Sequence, residues 1–232
     1  RFGKTTLGEL EARRWWIAGY KVGWFAPTYK ILEDAWATLL TSLRPHANEI
    51  NKAHRRIINP MGGVLECWSL DTDDPARSRD YDLVIIDEAG LVPNLGRIWR
   101  QCIRPTLIDR QGSMAWMLGT PRVISPDFNT FFEQAELRLR GFEEWRAFRA
   151  RSVDNPHLNR EDIEDARATM DEWEYLQEFE GIPCDVSAGF FPRSEVEEHR
   201  ARHAIDPFER VDIICTETDL NRRDAAIRKR VP

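Results

Sequence analysis

Gly3-Lys4-Thr5-Thr6, behind Arg1-Phe2, and the later run Leu83-Val84-Ile85-Ile86-Asp87-Glu88 decide the fold class of this chain. Gly-Lys-Thr at the mouth of a helix surrounds phosphate oxygens with backbone N–H groups and an ammonium, and its Thr hydroxyl is a Mg²⁺ ligand. The first glycine of the complete loop pattern would lie before Arg1. A continuous β-branched run ending in two acids reads as a strand buried on both faces, with the acids at its carboxyl end. Together the two stretches predict a nucleotide-hydrolysing site. Arg1, Gly3, Lys4, Thr5 and Thr6 are its candidate nucleotide contacts, Thr5 and Asp87 its metal-holding pair, and Glu88 the group that orients or deprotonates water. Asp87 and Glu88 also have a plainer reading as acids capping the next helix.

Outward from these stretches, strand and helix patterns alternate. Helix is predicted over residues 5–18, a strand over 22–26, and an amphipathic helix where Leu32, Ala35, Trp36, Leu39, Leu40 and Leu43 recur before Pro45. Further strands are predicted at 64–70 and 114–118, with a short helix around Ile98, Trp99, Cys102 and Ile103 between them. Beyond these, the pattern predicts a helix over 131–140, a strand over 142–148 and one long helix over 161–179, striped by Ile163, Ala166, Met170 and Trp173. Residues 181–192 read as a connection and 211–215 as a last strand. A domain boundary is placed near Asp206. The alternation specifies an α/β fold with a mainly parallel sheet flanked by helices, whose ligands bind beyond the carboxyl ends of the strands.

Composition narrows the function classes. With 232 residues, 42% of them apolar, and nine Trp, the chain has ample material for a core. Its net charge of −6 excludes a protein that coats nucleic acid with its whole surface, so any such contact is confined to a local basic region. Cys67, Cys102, Cys184 and Cys215 are too scattered for a zinc site or a disulfide framework. No apolar stretch approaches the roughly 20 residues of a membrane span.

Three more groups carry candidate chemistry. Gly119-Thr120-Pro121 follows a predicted strand and is either a turn or a hydroxyl that senses the γ-phosphate. Arg97, Arg100, Arg104 and Arg110 hold either an arginine finger or ordinary surface ion pairs. Arg138, Arg140, Arg146, Arg149 and Arg151, interleaved with Glu136, Glu143 and Glu144, are either a DNA-backbone contact or a solvated face.

Taken in order, RFGKTT, FAPTY at Phe25 to Tyr29, ARSRDYDLVIIDEAG at Ala76 to Gly90, MLGTPR at Met117 to Arg122, DNPHLN at Asp154 to Asn159 and the stretch from EFEG to FFP at Pro192 resemble the large terminase subunit of tailed phages. The resemblance spans most of the chain. It implies a P-loop NTPase domain over residues 1–205, including a connecting subdomain. Residues 206–232 would be a linker or the start of a ribonuclease-H-like nuclease domain. ATP and Mg²⁺ are the implied cofactors, with a second divalent-metal site belonging to an intact nuclease domain, where Asp219 is either the match to the first metal-binding Asp or a solvated Asp in a charged tail. Thr120 takes the coupling role. The implied function is an ATP-driven motor that moves double-stranded DNA into procapsids and cuts the genome. It would work in the host cell cytoplasm as a homo-oligomeric ring, with the portal protein and a small terminase subunit and without a membrane. A helicase or recombination ATPase, or a non-catalytic truncated prophage product, are the alternatives.

Overall fold

The computed structural model describes residues 2–72, 76 and 78–183. Helix α1 (Lys4–Ile17) leads into β1 (Lys21–Ala26) and α2 (Tyr29–Leu43), followed by β2 (Glu49–Asn51), β3 (Arg56–Ile58), β4 (Val64–Ser69) and β5 (Leu83–Ile86). Next come the helical segment α3 (Leu95–Ile98), the π-type turn Trp99–Ile103, α4 (Pro105–Ile108) and β6 (Met114–Met117). The described chain closes with α5 (Pro126–Glu136), α6 (Arg160–Thr169) and α7 (Glu172–Glu178). The six strands form one sheet in the order β2-β3-β4-β1-β5-β6. Strands β4, β1, β5 and β6 run parallel, with Trp24 opposite Cys67 and Ile85, and Ile85 opposite Trp116. The expected mainly parallel sheet flanked by helices is therefore present, with an antiparallel hairpin, β2–β3, added at one edge.

The continuous apolar runs serve two faces at once, because successive side chains of a strand point to opposite sides. Trp24, Leu83 and Ile85 join Ala12 and Trp16 of α1 and Leu32, Trp36, Leu39 and Leu43 of α2 in one buried cluster. Phe25, Val84 and Ile86 join Leu95, Ile98, Trp99 and Ile103 in the other. Beside the second cluster a polar network is buried: Tyr81 donates to Glu66 at 2.8 Å, accepts from Trp68 Nε1 at 2.8 Å, and Arg56 and Arg79 pair with the same carboxylate at 3.4 Å. Such a buried acid is tolerable because its lone pairs are met by a hydroxyl and two guanidinium groups.

Three expectations are corrected. Residues 142–148 form no strand; Phe142 and Trp145 instead gather with Phe131 in an aromatic cluster, their ring centroids 5.0–6.1 Å apart, and Trp145 meets Trp99 edge-on. The helix expected over 131–140 begins earlier and ends at Glu136, with Arg138 in the left-handed region at φ 50. The long helix over 161–179 is two helices: Asp171 starts a new one by accepting from Trp173 N, and Trp173 is 50% exposed instead of continuing the apolar stripe. Arg1, Cys184, Cys215, Asp219, the strand at 211–215, most of the connection at 181–192 and the boundary near Asp206 lie outside the described residues.

Candidate nucleotide site

Because β1, β4, β5 and β6 are parallel, their carboxyl ends share one rim of the sheet. Asp87 follows β5 there, and Leu118-Gly119-Thr120 follows β6. Helix α1 lies close against this rim at Gly8, where a Cβ would stand 2.8 Å from the Leu118 side chain and 3.0 Å from the Trp24 ring. Ahead of the helix, Gly3 adopts φ 92, a left-handed conformation that costs glycine little. These two features place Lys4 and Thr5 against the rim.

Thr5 Oγ1 lies 3.2 and 3.1 Å from the two carboxylate oxygens of Asp87, to which it donates, and Lys4 Nζ donates to Thr120 Oγ1 at 3.3 Å. Groups distant in sequence thus meet at one point. Asp87 is 4% exposed and also accepts from the Glu88 backbone N–H at 3.1 Å. Burial pushes its carboxyl above the usual range, the Thr5 hydrogen bond pulls it back, and the neighbouring Glu88 charge pushes it up again. Glu88 itself is half-buried at φ 48, ψ 42, a backbone region that non-glycine residues occupy sparsely and that clusters at functional sites. Thr6 is exposed on the first turn of α1.

The acid pair and the segment that follows β6 are locked to each other through backbone. Ala89 N donates to Leu118 O at 2.7 Å and Leu118 N to Ile86 O at 2.8 Å, extending the β5–β6 pairing past the strand ends. Gly90 then packs so tightly that a Cβ would sit 1.9 Å from the Thr120 carbonyl oxygen.

Two residues of the rim were not among the candidate site residues. Glu9 stands one helical turn beyond Thr5, and its carboxyl is raised first by burial and then by the Asp87 charge. Its spacing of four from Thr5 was the one local clue. Arg122 crosses Gly90 and pairs with Glu178 of α7, a contact between ordinary surface charges far apart in the chain. Of the four arginines after the acid pair, Arg110 is engaged in ion pairs within the chain. It is ion-paired with Asp80 and lies 3.6 Å from Asp82, just before β5, at the end of the strands opposite Asp87. Arg97, Arg100 and Arg104 are exposed.

The donor set suits Mg²⁺. Thr5 and Asp87 offer hard oxygens side by side, and among the described residues no group of three or more His, Cys, Asp or Glu forms an all-protein cage. Mg²⁺ is commonly held by one or two such protein groups plus phosphates and water.

Comparison with known proteins bears on the sequence and the fold as a whole. The large terminase subunit of Escherichia phage T5 is 29% identical over 191 residues, which make up 78% of this chain and 41% of that protein. The solved ATPase domain of the Thermus phage P74-26 large terminase superposes with a TM-score of 0.62 at 24% identity, covering 78% of this chain and 84% of that one. By sequence and by fold, the chain is similar to the ATPase region of a phage terminase large subunit. The large terminase of bacteriophage HK97 shares the fold at 12% identity, with a TM-score of 0.62 over 79% of this chain and 45% of that one. No family model matches the chain. The terminase-like chain spans about two fifths of the length of its T5 relative. Among its described residues no helix is long and apolar enough to cross a membrane.

Proposed function

We propose that this chain is the Mg²⁺-dependent ATPase part of a DNA-packaging motor. The observation that carries the reading is the pair of contacts Thr5–Asp87 and Lys4–Thr120, which joins the phosphate-loop residues to the acid pair and the coupling threonine at one rim. In this reading Lys4 and the free N–H groups at the start of α1 bind the β- and γ-phosphate oxygens. Thr5 and Asp87 would hold Mg²⁺, which would supply Lewis-acid neutralisation of phosphate charge. Glu88 accepts a proton from the attacking water, and Thr120 registers whether the γ-phosphate is present.

Double-stranded DNA is the proposed substrate of the motor, with the portal protein, the small terminase subunit and further copies of the chain in a ring as its partners. Genome cleavage is proposed for the full-length protein, with Asp219 as a candidate metal-binding acid. The arginine cluster favours a DNA contact at part of its length. Arg149 and Arg151 are occupied by Glu136 and Asp154, but Arg138 and Arg140 are exposed, and among the described residues Arg146 donates to the Glu143 and Trp145 carbonyls, which leave its charge intact. Phe148, 88% exposed, stands among them.

The slope of log K against log salt changes by about 0.9 for every duplex phosphate that a protein neutralises. Replacing Arg138, Arg140 and Arg146 together by Ala in the full-length protein is therefore expected to weaken duplex binding and reduce that slope by about 2 to 3. The check is a fluorescence titration across salt concentrations. An unchanged slope assigns these arginines to a solvated face.

A further inference from the structure

We propose that Arg122 and Glu178 form a strut through which phosphate occupancy at Thr120 sets the position of α7, a role that rests on the nucleotide site proposed above. Three contacts in series make the connection. Lys4 Nζ donates to Thr120 Oγ1 at 3.3 Å. Two residues further on, Arg122 carries its Cγ within 3.6 Å of the point a Gly90 Cβ would occupy, so its side chain lies across the segment behind the acid pair. Its guanidinium then ends on Glu178, the last residue of α7.

The base of the strut is held firmly. The Arg122 carbonyl accepts from Ser125 N and from Asn129 Nδ2, both at 3.3 Å, which ties it to the start of α5. The Thr120 carbonyl has backbone behind it at Gly90, leaving no room to absorb a shift locally. The far end has its own contacts: Ser152 N donates to Phe179 O at 2.7 Å, the Tyr175 and Phe179 rings stack with centroids 5.0 Å apart, and the Arg167 guanidinium lies 5.6 Å from the Tyr175 ring centroid. The Arg122 side chain is the route by which a displacement at the rim would reach α7, because it touches Gly90 at one end and Glu178 at the other.

Coupling requires that the two states differ in what they hold. Here they do, because the ammonium that donates to Thr120 is the same group a bound phosphate recruits. Thr120 exchanges its partner when the nucleotide binds, and Arg122 is the next charged side chain along. The Arg122–Glu178 pair is partly solvated at both ends, with side chains 42% and 33% exposed, so it adds little to overall stability and can be altered without unfolding the chain.

The test is hydrogen exchange over residues 172–178 of the full-length protein, with and without ATPγS and Mg²⁺, and with nucleotide affinity measured by calorimetry on the same samples. In the wild type the nucleotide is expected to slow exchange in α7 by about tenfold. Glu178→Gln should bind ATPγS with wild-type affinity yet lose that response, and the charge-swapped pair Arg122→Glu with Glu178→Arg should regain it. The strut is overturned if α7 of Glu178→Gln responds as the wild type does, or if wild-type α7 is unaffected while ATPγS binds. Wild-type protein that binds no ATPγS overturns the nucleotide site, and the strut with it.

Discussion

Replacing Glu88 by Gln in the full-length protein should lower ATP turnover by about 10²–10⁴-fold, the usual worth of a positioned general base, while nucleotide still binds. Gln keeps the size of the side chain and removes its ability to take a proton. The surroundings should survive the change. The contact Glu88 makes with Asp87 in the structure is through its backbone N–H, at 3.1 Å, and Gln preserves that donor. If Glu88 were only a turn residue in the left-handed region, Gln would serve nearly as well, and phosphate release would stay near the wild-type rate. Steady-state turnover measured beside nucleotide affinity separates the two, because loss of a base lowers the rate constant and leaves binding in place.

Gly90→Ala should be the most damaging small substitution near the site. The added Cβ would stand 1.9 Å from the Thr120 carbonyl oxygen and 3.0 Å from its carbon, and both are backbone atoms that no rotamer change can move aside. Relief requires the segments after β5 and β6 to separate, which strains or breaks the hydrogen bonds Ala89 N to Leu118 O and Leu118 N to Ile86 O. Overpacking with loss of buried hydrogen bonds puts the expected destabilisation at about 3 kcal/mol. A lower urea midpoint at an unchanged slope is the expected signature. A midpoint equal to the wild type would show that the close approach of the two segments is wrong. Because this approach also sets Thr120 beside Lys4, turnover should fall with stability.

Much of the parallel layer was legible because its signals are local. A run such as Leu83 to Ile86 is buried on both faces, so every position is apolar, and α2 repeats its apolar residues at the period of one helix face. The failures fall where tertiary contacts override local pattern. Ile163, Ala166, Met170 and Trp173 keep helical spacing across a break that Asp171 makes by capping α7. Phe142 and Trp145 have the composition of a strand, but their partners are Phe131 and Trp99, which the order of residues does not reveal. The antiparallel strands β2 and β3, three residues each, are too short to show a period.

The candidate site divides the same way. Lys4, Thr5, Asp87 and Thr120 carry chemistry in a recognisable order, and the structure brings them together. Arg122 and Glu178 are common surface residue types, and only the fold makes them neighbours.

Sharing of one Mg²⁺ by Thr5 and Asp87, with a nucleotide held by Lys4, is the proposal on which the rest depends. It is tested most directly by crystals of the full-length protein grown with ATPγS and Mn²⁺, using the anomalous signal of the manganese to find the ion. The expected result is a single strong peak at this site, in direct contact with Thr5 Oγ1 and the β- and γ-phosphates and one water away from the Asp87 carboxylate. A nucleotide and ion bound elsewhere on the molecule, with Thr5 still hydrogen-bonded to Asp87 and no metal between them and the phosphates, would contradict it.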